Sequence, residues 1–289
     1  KGASKGEGLG NKFLANIRET DAIIHVLRCF DNDNITHVDG SVDPVRDKEI
    51  IDIELQLKDL ESLNNRIEKV NRTAKSGDKD ALREKEILQK AIAFIESSNN
   101  IRSIDLDIAD INKYLKPLQL ITSKPVLYVC NVDENSINST NDHVESVKSL
   151  ISKEGANLIV LAAGIESEIN ELDDYEERRM FLDDLGLDIP GSSKLINATY
   201  DLLNLQTYFT AGPKEVRAWT IKKMATAPQA AGVIHTDFEK GFIKAEVIAY
   251  NDYINFKTEA KVKEAGKMRI EGKDYIVKNG DIIHFLFNV

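Results

Sequence analysis

Apolar runs typical of buried strands lie on both sides of a long segment with helical periodicity, and this arrangement limits the possible fold more than any other feature. The run DAIIHVLRCF, residues 21–30, precedes that segment, whereas KPVLYVCN (124–131) and NLIVLAAG (157–164) follow it. Nearly continuous apolar runs of this length are typical of strands covered on both faces of a parallel sheet. Residues 141–155 have the pattern of a helix, so the order strand, helix, strand predicts a doubly wound α/β sheet.

The segment from about 45 to 116 has a different pattern. Apolar residues recur there at helical spacing among charged residues, and KSGDKDA (75–81) has the composition of a turn. Two long amphipathic helices joined by a short turn form an antiparallel hairpin, and this hairpin interrupts the α/β domain. It is either a scaffold that spaces the neighbouring domains or part of a binding surface, and the sequence leaves both open.

The last 85 residues form a third region. Short strand-like segments alternate there with turns and a short helix near 236–241, and Asn279-Gly280 is a strong signal for a tight turn between strands. We expect a compact α+β domain. The predicted organisation is therefore an incomplete, split α/β domain (1–44 and 117–204), a helical insertion (45–116) and a C-terminal α+β domain (205–289).

Composition and charge exclude several classes. The net charge of −10 argues against a chain coated in nucleic acid, although a local basic patch is compatible with it. No apolar run approaches the roughly 20 residues of a membrane span. Cys29 and Cys130 each end an apolar run, so we expect buried, reduced thiols and a cytoplasmic protein without a disulfide or thiolate metal site. The chain begins with KGASKGEGLGNK and no initiator Met, so we expect a piece that lacks its front.

A polar motif follows the second apolar run. Asn131-Val132-Asp133-Glu134 places an Asn and an acidic residue three positions apart where a strand ends, and ligands of open α/β sheets bind at that edge. Many GTPases hold guanine with an Asn and an Asp at this spacing. A Glu is one methylene longer, which weakens guanine selection and favours adenine where backbone groups read the base. Such residues also occur by chance in a polar loop.

Histidines and phosphate-binding loops give fewer signals. His37 lies in the loop beyond the first strand, where it can reach a ligand or simply be exposed to solvent, whereas His25, His143 and His284 lie in predicted strands or helices and are expected to be structural. No metal-ligand spacing of His and Cys occurs. No G-x-x-x-x-G-K-[ST] run is present, so this chain alone should not hold a triphosphate tightly.

Four long stretches resemble the YchF / Obg-like ATPase family: GASKGEGLGNKFLANIRETDAI, NLQTYFTAGPKEVRAWTI, TAPQAAGVIHTDFEKGFIKAEVI and AGKMRIEGKDYIVKNGDIIHFLFNV. The resemblance covers essentially the whole chain. It implies a Ras-like P-loop NTPase fold with an inserted helical coiled-coil hairpin and a C-terminal ubiquitin-like TGS domain. It also implies a regulatory ATPase that binds ATP with Mg²⁺ and prefers ATP to GTP.

The resemblance assigns roles to particular residues. The family's N-x-x-E base motif matches Asn131 and Glu134, and Val132 would place its backbone beside the adenine. Residues 161–164, LAAG, match the fifth nucleotide-binding motif, which assigns Ala162 and Ala163 to the base site. Residues 1–10 match switch II. The P-loop, switch I and the Mg²⁺ ligands are expected upstream of Lys1, so no metal ligand is assigned in this chain, and the fragment alone is expected to be inactive.

The family has an apolar residue where Ras-like enzymes have the glutamine that orients the attacking water, so another group must do this. We hypothesise that His37 does so, because a loop beside the carboxyl edge of the sheet can swing toward the γ-phosphate. The residue could equally only shape the loop.

The resemblance also implies association with the ribosome and RNA, without DNA or membrane, for a protein expected to be a monomer. Basic residues for phosphate contacts and two rings for base stacking are candidates in the C-terminal region: Lys214, Arg217, Lys222, Lys223, Lys240, Lys244, Lys267, Arg269, Trp219 and Phe238. The alternative for each is a solvated surface charge or an ordinary core ring. An ATPase and a non-enzymatic RNA- or ribosome-binding module therefore remain the two candidate functions.

Overall fold

The computed structural model describes residues 8–152, 154–212 and 215–288, so Lys214 and residues 1–7 of the predicted switch II segment lie outside it. The chain divides into two compact units, Lys1–Ala198 and Thr199–Val289. Within the described ranges, no helix is both long and apolar enough to cross a membrane. The boundaries predicted at 44/45, 116/117 and 204/205 stay predictions.

The first unit contains eight helices and three strands in its described part. In chain order they are α1 (Gly8–Glu19), β1 (Ile23–Arg28), α2 (Pro44–Ala74), α3 (Lys79–Glu96), α4 (Ile108–Asp110), β2 (Val126–Asn131), α5 (Asp142–Ser152), β3 (Asn157–Leu161), α6 (Ala163–Glu171), α7 (Tyr175–Asp184) and α8 (Gly191–Leu202), which continues into the second unit. Short irregular helical turns, such as Ile121–Ser123 and Glu134–Ser136, join them.

The three strands form a parallel sheet in the order β1-β2-β3, which confirms the predicted α/β class. One face of β1 and β2 packs against α5 through Val144, Val147 and Ile151, because these residues recur at helical spacing on one side of α5. The central strand β2 is buried along its whole length except at its last residue, Asn131. That residue therefore emerges from the core at the carboxyl edge of the sheet.

Strand β1 differs from the expectation that both of its faces are buried. Leu27 and Cys29 are buried, but Ile24 is 41% and Val26 is 60% exposed. The strand lies at an edge of the sheet, and on its second face the described residues cover β2 but leave β1 open. An apolar run in the sequence indicates that a strand tends to be buried. It does not indicate which residues cover each of its faces.

The predicted helical hairpin is present as α2 and α3. Helix α2 begins where Asp43 accepts a hydrogen bond from the Arg46 N–H at 3.0 Å, and Pro44 occupies the first helical position. Helix α3 begins at a second cap, where Asp78 accepts from the Ala81 N–H at 2.8 Å. The buried seam contains Leu63, Val70, Ala81, Ile87, Leu88, Ala91 and Ile95, whereas Ile53, Leu57 and Leu82 lie on exposed positions.

Buried charged residues fix the base of the hairpin to the rest of the unit. The carboxylate of Asp59 in α2 accepts hydrogen bonds from the Ile121 N–H (2.8 Å), the Thr122 N–H (2.7 Å) and the Thr122 hydroxyl (2.8 Å). The ammonium of Lys48, which is 2% exposed, contacts Asp52 at 2.7 Å and Glu154 at 2.5 Å. Burial opposes the charged form of Lys48, but these two hydrogen bonds outweigh it and raise its pKa.

The second unit is an α+β unit. After the end of α8 it contains β4 (Leu205–Ala211), β5 (Val216–Lys222), α9 (Ala227–Ile234), α10 (Thr236–Lys240), β6 (Phe242–Ile248), α11 (Tyr250–Phe256), α12 (Glu259–Glu264), β7 (Arg269–Glu271) and β8 (Ile282–Phe287). The strand order is β5-β4-β8-β6-β7, with β4 and β8 parallel and the other neighbours antiparallel. Helix α9 covers the sheet, and the Tyr208 hydroxyl donates to the Ala230 carbonyl at 2.9 Å in the core.

Two sequence expectations for this unit need correction. Gly280 has φ +84°, so the Asn279-Gly280 turn exists, but the β-structure just before it is an isolated bridge at Ile276, and the turn does not directly join two strands. The predicted helix near 236–241 is α10, yet α9, α11 and α12 were not predicted. Helix α9 begins with a capping box formed by Thr226 and Gln229, which is a signal that sequence reasoning can use.

Candidate nucleotide base site

Hydrogen bonds fix the backbone at the end of β2 and leave the Glu134 side chain exposed. Val132 is buried, and its N–H donates to the Leu161 carbonyl at 2.9 Å, which holds the chain against β3. Asp133 accepts from the Ser136 N–H at 3.0 Å and so caps the short helical turn that begins at Glu134. Because the cap uses the carboxylate of Asp133, the exposed Glu134 is the acidic side chain that this turn presents to a ligand.

Asn131 joins this turn to the beginning of α6. Its side-chain carbonyl accepts from the Ala163 N–H at 2.9 Å. This bond satisfies a donor in the first turn of α6, where N–H groups have no partner inside the helix. Ala162 is buried, whereas Ala163 and Gly164 are exposed, and a Cβ built on Gly164 would meet nothing within 4 Å. The residues of N-x-x-E and of LAAG therefore form one continuous edge with open space above it.

The arrangement fits a planar base. Small residues at 162–164 leave room for a ring, Asn131 fixes the two segments, and Glu134 supplies a carboxylate at the rim. The structure thus brings together two of the predicted base-site segments, Asn131 and the LAAG run. The role of each residue in binding stays a prediction.

Sequence reasoning missed Asn141, which supports the site. Its amide donates to the Cys29 carbonyl at 2.8 Å and to the Ser136 hydroxyl at 3.3 Å, and its carbonyl accepts from the Val144 N–H at 2.9 Å. It therefore joins the end of β1, the Glu134–Ser136 turn and the start of α5. The signal was available, because an Asn just before a helix is a preferred N-cap.

His37 lies in the loop between β1 and α2, and this loop is well braced. The Arg28 guanidinium donates to the carbonyls of Phe30, Asn32 and Ile35 at 2.9–3.2 Å. The His37 ring contacts Asp47 of α2 through Nε2 at 2.9 Å and accepts from the Asp39 N–H at Nδ1 at 3.2 Å. In the described structure no hydrogen bond connects His37 with the base-site residues.

The other histidines differ in their surroundings. The ring of His25 lies 5.6 Å from that of Tyr128, and burial lowers its pKa, which agrees with a packed residue. His284 is in β8 as predicted but is exposed. The thiols of Cys29 and Cys130 are free, buried and in contact, and the hydrogen bond between them, with burial, raises the pKa of Cys29.

One group of possible metal ligands occurs among the described residues: His37, Asp39 and Asp47, whose ligand atoms lie within 4.8 Å of one another. Mg²⁺ takes oxygen ligands in octahedral geometry, whereas both imidazole nitrogens here already have hydrogen-bond partners. The group therefore does not fit the Mg²⁺ of a nucleotide.

Candidate nucleic-acid contacts in the second unit are partly engaged within it. The Arg217 guanidinium lies 4.1 Å from the centre of the Trp219 ring, and Phe238 stacks on Phe287 at 3.7 Å. Lys223 pairs with Asp201 at 2.6 Å. Further contacts are from Lys222 to the Leu203 carbonyl and from Arg269 to Tyr275 and Asp281, whereas Lys240 and Lys267 are exposed and Lys244 is half-buried.

Comparisons with known proteins agree over the whole chain. A protein named ribosome-binding ATPase YchF from Haemophilus ducreyi is 57% identical over 288 residues, which cover 100% of this chain and 78% of that relative. The protein of the same name from Escherichia coli O157:H7 is 54% identical over 289 residues, again 100% of this chain and 79% of the relative.

Family and structure comparisons give the same result. The profile of the family YchF-GTPase_C, described as a protein of unknown function (DUF933), matches residues 205–288. The solved structure of the Schizosaccharomyces pombe YchF GTPase matches with a TM-score of 0.82 and 37% identity, covering 96% of this chain and 75% of the other. The predicted fold class, a P-loop NTPase fold with a C-terminal domain, is confirmed by this match.

Proposed function

Because the chain belongs to the YchF family, we propose that its first unit supplies the base site of a nucleotide hydrolase that prefers ATP to GTP. The observation that carries the proposal is the set of hydrogen bonds made by the residues that follow β2. Asn131 holds the Ala163 N–H at 2.9 Å, Asp133 caps its own turn, and Glu134 alone is left to face a base.

The choice of adenine follows from the groups that remain. The Val132 N–H is bonded to the Leu161 carbonyl, so we infer that the Val132 carbonyl, rather than its N–H, is the backbone group that reads the base. Adenine presents an amino donor where guanine presents a carbonyl acceptor, so a carbonyl on the protein favours adenine and repels guanine. The longer side chain of Glu134 does not place its carboxylate where a shorter Asp would accept from two donors of guanine.

The experiment is a nucleotide titration of the full-length protein carrying Asn131→Ala, with Asn135→Ala as the matched control. Removing Asn131 frees the Ala163 N–H and releases α6 from β2, which should weaken ATP binding by about 5- to 30-fold, the equivalent of one or two hydrogen bonds. Asn135 is exposed in the same turn, and its change should leave the affinity unaltered. Equal affinities of the two variants would contradict the proposal.

For the hydrolysis step we propose that His37 orients the attacking water. The support is its place in the loop that follows β1, the neighbour of β2 in the sheet. Mg²⁺ is proposed to accompany the nucleotide and to neutralise charge on its phosphates, but no residue of this chain is assigned to it. Turnover of the full-length protein with His37→Ala tests the role of His37, and an unchanged kcat would refute it.

We also propose that the protein works at the ribosome, in the cytoplasm, as a monomer. Lys69, Arg72, Lys75 and Lys79 are exposed at the turn end of the hairpin, in a chain whose net charge is −10. Exposed cations can contact a phosphate backbone, although Glu68, Asp78 and Asp80 are exposed among these four. Lys240 and Lys267 offer further exposed cations in the second unit.

A second candidate function is RNA or ribosome binding without catalysis by the chain as it stands. The dependence of RNA binding on salt and on nucleotide distinguishes the two candidate functions. RNA binding that persists without nucleotide and weakens steeply with salt would favour the binding module. Changing Lys69 and Arg72 together to Gln should then reduce the salt slope, whereas a change of the paired Lys223, with its partner Asp201, should alter it less.

A further inference from the structure

The hydrogen bonds of His37 define its tautomer. A backbone N–H only donates, so Nδ1, which faces the Asp39 N–H at 3.2 Å, must carry a lone pair. The proton of the neutral ring is then on Nε2 and is donated to the Asp47 carboxylate at 2.9 Å. The His37 side chain is 17% exposed and that of Asp47 is 25% exposed, so solvent reaches the pair only in part.

Asp47 is itself held on a rigid element. It lies in the first turn of α2, where its N–H donates to the Asp43 carbonyl at 3.0 Å. The Arg46 guanidinium contacts its other oxygen at 3.3 Å and the Ser41 carbonyl at 2.7 Å. The next residue, Lys48, is fixed by the buried ion pairs described above. The carboxylate therefore has one oxygen for Arg46 and one for His37.

We propose that Asp47 is a positioning residue that fixes the Nε2–H tautomer of His37, so that Nδ1 is the nitrogen presented to the attacking water. This rests on the proposed role of His37. The Asp39 N–H donates to Nδ1 at 3.2 Å in the resting loop, and in the proposed step the water takes its place. The nucleotide-binding motifs do not include Asp47, which belongs to the hairpin helix α2.

Nδ1 accepts a hydrogen bond from the water, whose oxygen forms a bond to the γ-phosphorus. The bond from that phosphorus to the bridging oxygen breaks, and its electron pair leaves with ADP. The proton of the water passes to the phosphate product, so His37 ends as it began. Asp47 takes up no proton in this step and only keeps the proton of the ring on Nε2.

The test uses full-length protein with Asp47→Ala and Asp47→Asn, and Asp33→Ala as the control. Asp33 is an exposed acid of the same loop, so its change removes the same charge without touching the ring. For Asp47→Ala we expect kcat for ATP to fall about 10- to 100-fold with KM unchanged, because a lost orientation costs part of the acid–base contribution. Asp47→Asn keeps an acceptor oxygen, so its kcat should lie between that of Asp47→Ala and that of the unaltered protein. The kcat of Asp33→Ala should equal that of the unaltered protein.

A second readout does not depend on turnover. Nitrogen-15 NMR of labelled histidines, with His37→Gln used to assign the signal, should show Nε2–H in the unaltered protein, a small share of Nδ1–H in Asp47→Asn and a larger share in Asp47→Ala, where only the Asp39 N–H still favours Nε2–H. A variant with reduced kcat but an unchanged tautomer would overturn the inference. So would Asp47 variants of normal kcat when His37→Ala is slow. Normal kcat in His37→Ala would instead refute the proposed role of His37 itself.

Discussion

The buried carboxylate of Asp59 offers the sharpest test of how the hairpin is attached. It is 0% exposed and accepts from two backbone N–H groups, of Ile121 and Thr122, and from one hydroxyl. The change Asp59→Ala leaves both N–H groups buried without an acceptor, and each such donor costs about 1–3 kcal/mol. The Thr122 hydroxyl also accepts from the Ile101 N–H at 3.3 Å, and its own hydrogen can rotate about the C–O bond. We therefore add no separate cost for this hydroxyl. We expect a loss of about 3–5 kcal/mol.

The assay is urea unfolding followed by two signals. Circular dichroism at 222 nm is dominated by the long helices α2 and α3 of the first unit, whereas Trp219, the single tryptophan, reports on the second unit. With a slope of about 3 kcal/mol per molar urea, the dichroism midpoint should fall by about 1 M or more. Asp59→Asn keeps the shape and one acceptor and should lose only about 1–2 kcal/mol. A loss below about 1 kcal/mol for Asp59→Ala would refute the reasoning.

The same residue predicts a pH dependence. Burial raises the pKa of the Asp59 carboxyl, although the three donors oppose this effect. The folded state thus binds the proton more tightly than the unfolded chain, whose pKa is about 3.9. The stability contributed by the protonated form is present below that value and is lost as pH rises through the folded pKa. The advantage of the unaltered protein over Asp59→Asn should therefore grow as pH falls toward about 4; an advantage that shrinks would contradict it.

Two further changes probe other buried contacts. Lys48→Met leaves the carboxylates of Asp52 and Glu154 without their shared cation. The free energy of unfolding, measured by circular dichroism, should fall by about 3–5 kcal/mol. An unchanged midpoint would show that solvent compensates for the lost ion pairs. Tyr208→Phe removes the hydroxyl that donates to the Ala230 carbonyl at 2.9 Å in the second unit. The free energy of unfolding, followed by the fluorescence of Trp219, should fall by about 1–2 kcal/mol. A shift seen only by dichroism would count against the packing described for that unit.

Sequence reasoning succeeded where a local pattern determines the structure. The strand ending at Asn131 and the two long hairpin helices follow from periodicity and from caps such as Asp43 and Asp78. It failed where the outcome depends on distant neighbours. The exposure of Val26 depends on what covers the second face of β1, and no property of the run itself contains that information.

The candidate site shows the same division. The spacing of Asn131 and Glu134 was visible in the sequence, but the partner of Asn131, the Ala163 N–H, lies 32 residues further along the chain. Which of Asp133 and Glu134 is free depends on a cap that only the folded turn forms. The contact of His37 with Asp47 joins a loop to a helix that the sequence assigned to a separate insertion.

We propose that the edge formed by Asn131, Glu134 and the start of α6 selects adenine. The most direct measurement is a side-by-side titration of the full-length protein with ATP and GTP under one set of conditions, repeated with Glu134→Asp. We predict tighter binding of ATP by the unaltered protein and a shift of the affinity ratio toward GTP in the variant. Equal or tighter binding of GTP by the unaltered protein would contradict the account.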